Sequence, residues 1–152
     1  MQLQNEIFNG KFVSFFEGDK ASIIKEKFNI KEKSLTYKYK KIDDSLTIKE
    51  NGILDYSIIN VTNQIYNVLF TTTIGSYKTF FLDPECPVEM AIIIYCIDKN
   101  KVLDLFEDRI NFLYNAYKMK IRDKTHIKDF FKGNIFPKIV VNDKDNLIGG
   151  WS

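Results

Sequence analysis

The chain has 152 residues, 45% of them hydrophobic and 14% aromatic, with three prolines and a formal net charge of +2. A compact domain of that length buries about 70% of its unfolded surface, which excludes disorder and a need for disulfide staples. The near-balance of charge excludes a chain-wide attraction to polyanions, and the longest apolar run, Ala91 to Ile97, is far short of the ~20 residues of a membrane-spanning helix.

Met1 to Glu6 lacks the basic and apolar regions of a secretion signal. With no membrane span either, the expectation is a cytoplasmic protein folded as a single domain over residues 1–152. The heavy use of Lys, Ile, Asn and Phe points to an AT-rich, bacterial or phage genome.

Phe12 to Phe16 carries apolar residues on both faces of a first predicted strand, and Glu17-Gly18-Asp19-Lys20 turns the chain. Ala21 to Ile30 fits two patterns: a helical stripe of Ala21, Ile24 and Phe28, or the return arm of a hairpin, which is the favoured reading. Leu35, Tyr37 and Tyr39 alternate with Thr36, Lys38 and Lys40, which predicts a strand with aromatics and lysines on opposite faces. Asp43-Asp44-Ser45 is the next turn, Leu46 and Ile48 follow, and Asn51-Gly52 is a hairpin signal. Ile53 to Ile59 and Ile65 to Thr73 read as strands separated by the polar Asn60 to Gln64. Gly75-Ser76 then turns into Tyr77 to Leu82.

Asp83-Pro84-Glu85-Cys86-Pro87 breaks the alternation, since proline cannot donate to a ladder. Val88 to Ile97 is a buried run whose β-branched residues favour a strand, although Glu89-Met90-Ala91 resembles a helix start. Leu103, Phe106, Ile110, Leu113, Tyr117 and Ile121 recur at intervals of three or four, which predicts one long amphipathic helix from Lys101 to Arg122, capped by Asp98 or Asn100. Thr125 caps a short predicted helix through Phe131, ended by Gly133. Lys138 to Val141 is a late strand before the polar turn Asn142 to Asn146 and the tail Leu147 to Ser152. The expected class is α+β: a curved, mostly antiparallel sheet of about six to eight strands against one long helix and a short one.

Chemistry-bearing motifs are sparse. Cys86 and Cys96 are the only cysteines, and their spacing is that of neither a redox pair nor a zinc site. His126 is the only histidine, with no nucleophile elbow to accompany it. Neither Glu-x-Lys nor Asp-x-Lys occurs, which removes the common metal-nuclease pattern. Asn142 to Asn146 lacks the glycine and glutamate of a calcium loop, and among seven glycines only Gly149 and Gly150 are adjacent. No catalytic residue, metal ligand or cofactor is assigned, and enzyme is the minority reading.

Charge is unevenly placed. Lys20 to Lys41 holds eight lysines against Glu26 and Glu32. Lys25, Lys27, Lys38, Lys40 and Lys41 are the candidates for contact with single-stranded nucleic acid, an alternative that the opposite facing of Tyr37 and Tyr39 weakens. Asp83 to Asp108 holds Asp83, Glu85, Glu89, Asp98, Asp104, Glu107 and Asp108 against Lys99 and Lys101. Those seven acids, with Trp151 in the glycine-flanked tail, are the candidate partner-binding residues. The expected function is non-catalytic protein binding, most concretely an immunity or antitoxin-type inhibitor that occludes a basic toxin or nuclease domain. A small-ligand-binding sheet is a further alternative.

Overall fold

The computed structural model describes the backbone of residues 2–5 and 11–143 and the side chains of residues 15–143. The chain divides into two compact units, 1–65 and 66–152. Its class is α+β with mostly antiparallel strand pairing, as the sequence predicts. Among the described residues no helix is long and apolar enough to cross a membrane.

In the first unit, β1 (Gln2–Asn5) pairs antiparallel with β2 (Lys11–Ser14) and parallel with β5 (Ser57–Ile58). A second set places β3 (Ser34–Tyr37) between β4 (Lys40–Lys41) and β6 (Asn60–Thr62), both antiparallel to it. The core gathers Phe15, Ala21, Ile24, Leu35, Ile42, Ile48, Ile53 and Ile59.

Several local expectations are corrected here. Ala21 to Ile30 is not a hairpin arm: Ser22–Phe28 is helix α1, which buries Ile24 and ends where Asn29 turns left-handed at φ 55°. A strand would have given Ile24 and Phe28 one face and left nothing to cap, whereas asparagine readily supplies the left-handed terminus. The alternation of Leu35 to Tyr39 stops at Tyr37. Lys38 (φ 50°) and Tyr39 (φ 70°) form a two-residue hairpin turn into β4. Both lie in the left-handed region, which costs a non-glycine residue roughly 1–2 kcal/mol.

Asn51-Gly52 does not make a hairpin either. Thr47 Oγ1 accepts the Glu50 N–H at 3.0 Å and the Glu50 carboxylate accepts the Thr47 N–H at 3.1 Å, a reciprocal cap on one helical turn. That turn closes with the Asn51 N–H on the Thr47 carbonyl, and Gly52 (φ 74°) leads out of it. Within Ile53 to Ile59 only Ser57–Ile58 is strand, and β6 occupies part of the segment read as a polar spacer.

The second unit is a five-stranded sheet in the order β8 (Tyr77–Leu82), β7 (Tyr66–Thr72), β11 (Lys138–Asp143), β9 (Ile110–Tyr114), β10 (Tyr117–Lys118). The pairs are antiparallel except β11 with β7, which run parallel in the middle of the sheet. The period-two pattern of β7 and β8 holds as expected: Val68, Phe70, Phe80 and Leu82 point inward and are buried. Helix α2 (Val88–Asp98) covers that face with Val88, Ala91, Ile92, Tyr95 and Cys96. The favoured strand reading of Val88 to Ile97 therefore gives way to a helix, because the backbone after Pro87 is already committed and Glu89 sits in the first turn, where it complements the dipole.

The one long helix from Lys101 to Arg122 is the largest correction. The segment forms α3 (Val102–Phe106), β9 and β10. Ile110-Asn111-Phe112-Leu113-Tyr114 also alternates with period two. Phe112, which lies off the helical stripe, is 0% exposed, while the stripe residues Leu103 and Phe106 are 64% and 78% exposed. Pairing of β9 with β11 over five residues outweighs local helix propensity. Asp108 (φ 56°) ends α3, and Asn115 and Ala116 (φ 51° and 68°) turn β9 into β10. The short predicted helix is α4 (Ile127–Phe130), led by His126 rather than Thr125 and followed by a left-handed Lys132, not by Gly133.

Phe70 stacks on Tyr95 with ring centroids 4.5 Å apart and meets Phe80 and Phe112 edge-on at 5.8 and 6.0 Å. Phe70→Ala is expected to destabilise the fold by roughly 3–5 kcal/mol, read as a lowered midpoint in denaturant unfolding, because the ring is fully enclosed. Cys86 and Cys96 are buried, and desolvation pushes both thiols up to about 12. Nearby carboxylates, Asp83 for one and Asp104 and Asp143 for the other, add to the rise. Neither thiol should react with a thiol reagent at neutral pH in the native protein. Both should react at once in denaturant, as a mass shift would record.

Candidate functional site

The seven acidic candidates of the second unit do not gather on one bare face. Asp83 is buried before α2, where its carboxylate accepts the Glu85 N–H at 2.8 Å. The Glu85 carboxylate takes a hydrogen bond from Lys128 and lies 2.8 Å from His126 Nδ1. The Lys128 hydrogen bond holds it below the usual glutamate range, helped by the charges of Lys128 and His126. Glu89 pairs with Lys124, and Asp98 is 3.9 Å from Lys78.

Asp104 is buried, with Oδ1 2.8 Å from Arg109 Nη2 and Oδ2 3.7 Å from Lys101 Nζ. Glu107 shares the same Arg109 nitrogen at 2.9 Å. Asp108 is exposed in the turn after α3, and Trp151 lies outside the described residues. Sequence reasoning missed Asp143, which is buried 3.0 Å from Lys101 Nζ. Its inward parity with Ile139 and Val141 was the available signal. Among the described residues, no group of three or more His, Cys, Asp or Glu side chains is placed to hold a metal ion.

The lysine candidates of the first unit separate into two groups. Lys25 donates to the Asp44 carboxylate at 2.7 Å, and the Lys27 ammonium sits over the Phe15 ring, 4.8 Å from its centroid. Lys38, Lys40 and Lys41 instead line one cavity of about 390 Å³. The turn at Lys38-Tyr39 ends the predicted alternation at Tyr37, and the register sets Lys40 beside Tyr37 and Lys41 beside Thr36, on opposite faces of the hairpin.

The outward face of the second unit's sheet is the surface that no sequence signal marked. Register alone assembles it. Val140 sits directly beside Leu113 on one side and Thr71 on the other. Thr71 is opposite Tyr77, and Leu113 opposite Lys118. Leu69 lies in the adjoining row, between Thr79 and Lys138. Leu69, Leu113 and Val140 are each partly exposed. Tyr77 is 74% exposed, and Ile74, in the turn between β7 and β8, is 65% exposed. The result is an apolar band that crosses the sheet from β8 to β9, flanked by the ammonium groups of Lys118 and Lys138. Such a surface can exclude water against a partner and orient it by charge.

No protein-family model matches the sequence, and no curated protein matches it. Solved structures do. A ubiquitin of Caldiarchaeum subterraneum is 15% identical with a TM-score of 0.43, the match covering 53% of this chain and 94% of that one. The UBL domain of yeast Ddi1 is 8% identical with a TM-score of 0.45, over 55% of this chain and 93% of that one. A ubiquitin-like domain of an Arabidopsis thaliana protein is 17% identical with a TM-score of 0.43, over 53% and 79%.

Proposed function

We propose that the second unit is a ubiquitin-like protein-interaction module that engages a protein partner through its outward sheet face. The observation that carries this reading is the band formed by Leu69, Leu113 and Val140 with Tyr77 at its end. Apolar side chains on a rigid sheet lose little entropy when covered, and the two lysines beside them favour a partner with carboxylates around an apolar anchor. The finer form expected from the sequence, inhibition of a basic toxin, would rest on the acids between Asp83 and Asp108. Lys78, Lys101, Arg109, Lys124 and Lys128 already engage most of those carboxylates, so the apolar face has the better support.

The full chain, immobilised and exposed to lysate of its source, should retain a protein that a Leu113→Ser, Val140→Thr double variant loses by at least about tenfold. Both substitutions are outward and partly exposed, so the thermal midpoint should move little. Equal capture by the variant would defeat the proposal.

A further inference from the structure

Helices α2 and α3 and the stretch that follows β10 border an apolar cavity of about 310 Å³ on the helix side of the second unit. Ile93 and Cys96 of α2, Leu105 and Phe106 of α3, and Ile121 supply its apolar lining. Glu89 joins them from the first turn of α2, where its carboxylate also takes Lys124. Residues 89, 93 and 96 recur at helical spacing, so a single stripe of α2 forms that wall. Three large apolar side chains of the same two helices, Ile97, Leu103 and Phe106, are mostly exposed.

The end of β11 lies close to this cavity. Asp143 is level with Ile110 in the β11–β9 register, and its carboxylate reaches Lys101 Nζ at 3.0 Å. Lys101 in turn donates its backbone N–H to the Cys96 carbonyl at 2.8 Å, which puts the strand end at the corner where α2 gives way to α3. Ile110 is four residues past Phe106, so no more than about 14 Å of chain separates them. Adding the ~5 Å between paired strands leaves Asp143 within about 20 Å of Phe106. Trp151 follows Asp143 by eight residues, which reach about 27 Å when extended.

We propose that residues 144–152 fold back on the helix side and place the Trp151 indole in this cavity, with Leu147 and Ile148 against Leu103 and Phe106. The composition of the segment fits that occupancy. Lys144-Asp145-Asn146 is a polar turn suited to reverse the chain, and Leu147, Ile148 and Trp151 are the apolar residues that follow it. Gly149-Gly150 between them lets the backbone press close to the helices. A buried indole covers roughly 150–250 Å² and needs an acceptor for its N–H, which the Glu89 carboxylate offers. A tethered segment this short has an effective concentration on the order of millimolar, so it outcompetes an untethered apolar group of ordinary abundance. The cavity is on the side of the sheet opposite the band of Leu69, Leu113 and Val140, and neither reading depends on the other.

Trp151 is the chain's single tryptophan, so its fluorescence reports on the site without a label. In the full chain its emission should be blue-shifted from that in denaturant, shielded from acrylamide and unchanged on dilution. Leu103→Ser with Phe106→Ser, both at exposed positions, should move the emission toward its denatured value and admit the quencher. Tyr77→Ser, on the outward sheet face, should leave both as in the parent. If the double variant does not fold, Trp151→Ala gives a second measure. It should shift the methyl resonances of Ile93, Leu105 and Ile121 and leave those of Leu69 and Val140 in place. Emission at the denatured position in the parent, shielding that survives the double variant, or methyl shifts confined elsewhere would overturn the proposal. So would emission that moves to the red on dilution, which assigns the indole to a second copy of the chain.

Discussion

The stack of Phe70 on Tyr95 joins the middle of the second unit's sheet to the helix that covers it. Phe70 sits on β7, next to Ile139 of β11, while Phe80 and Phe112 come edge-on from β8 and β9, so one ring samples four strands and the helix. Edge-to-face and offset geometries satisfy the ring quadrupoles as well as burying area. Once that cluster is closed, the parity of every strand is fixed. Leu69, Leu113 and Val140 have no inward place left and must face out. The outward apolar band is in this sense a by-product of the core: inward rings on one side dictate which residues are left for the other.

Charge follows a different logic in the two units. In the second, acids are taken up pairwise by nearby cations, and two enclosed ones, Asp104 and Asp143, share Lys101. Enclosed ion pairs are weak sources of stability but strong sources of uniqueness, since removal of one partner strands the other. In the first, Lys25 is likewise paired with Asp44, while Lys38 occupies a strained hairpin turn. Net charge near zero conceals both arrangements, because it sums over pairs that never meet.

The strands that were legible are those whose parity had no competitor. Tyr66–Thr72 and Tyr77–Leu82 alternate cleanly and are separated by a glycine turn, and the prolines at 84 and 87 end the sheet run where expected. The stretch from Lys101 to Arg122 carried two periods at once. Its helical stripe and its Ile110-Phe112-Tyr114 alternation are both real, and only pairing with β11, some thirty residues on, chooses between them. Val88 to Ile97 was ambiguous for the opposite reason: a run apolar all round has no period to read. Of the candidate site, the lysine-rich stretch was visible as composition but its turn was not, since the two left-handed residues that make it are neither glycine nor asparagine. The sheet face was invisible, because it needs register between strands far apart in the chain.

The placement of β11 has a consequence for how the protein is made. It is the last described strand, yet it lies between β7 and β9 and supplies both with partners. On the ribosome, β7 and β8 can zip into a hairpin and α2 can settle on it well before residue 138 leaves the exit tunnel. Until then one long rim of β7, with its unpaired amides and carbonyls, stays open to any extended segment nearby. Anything that shields that rim until β11 arrives would thus protect the nascent chain from strand addition by a neighbour.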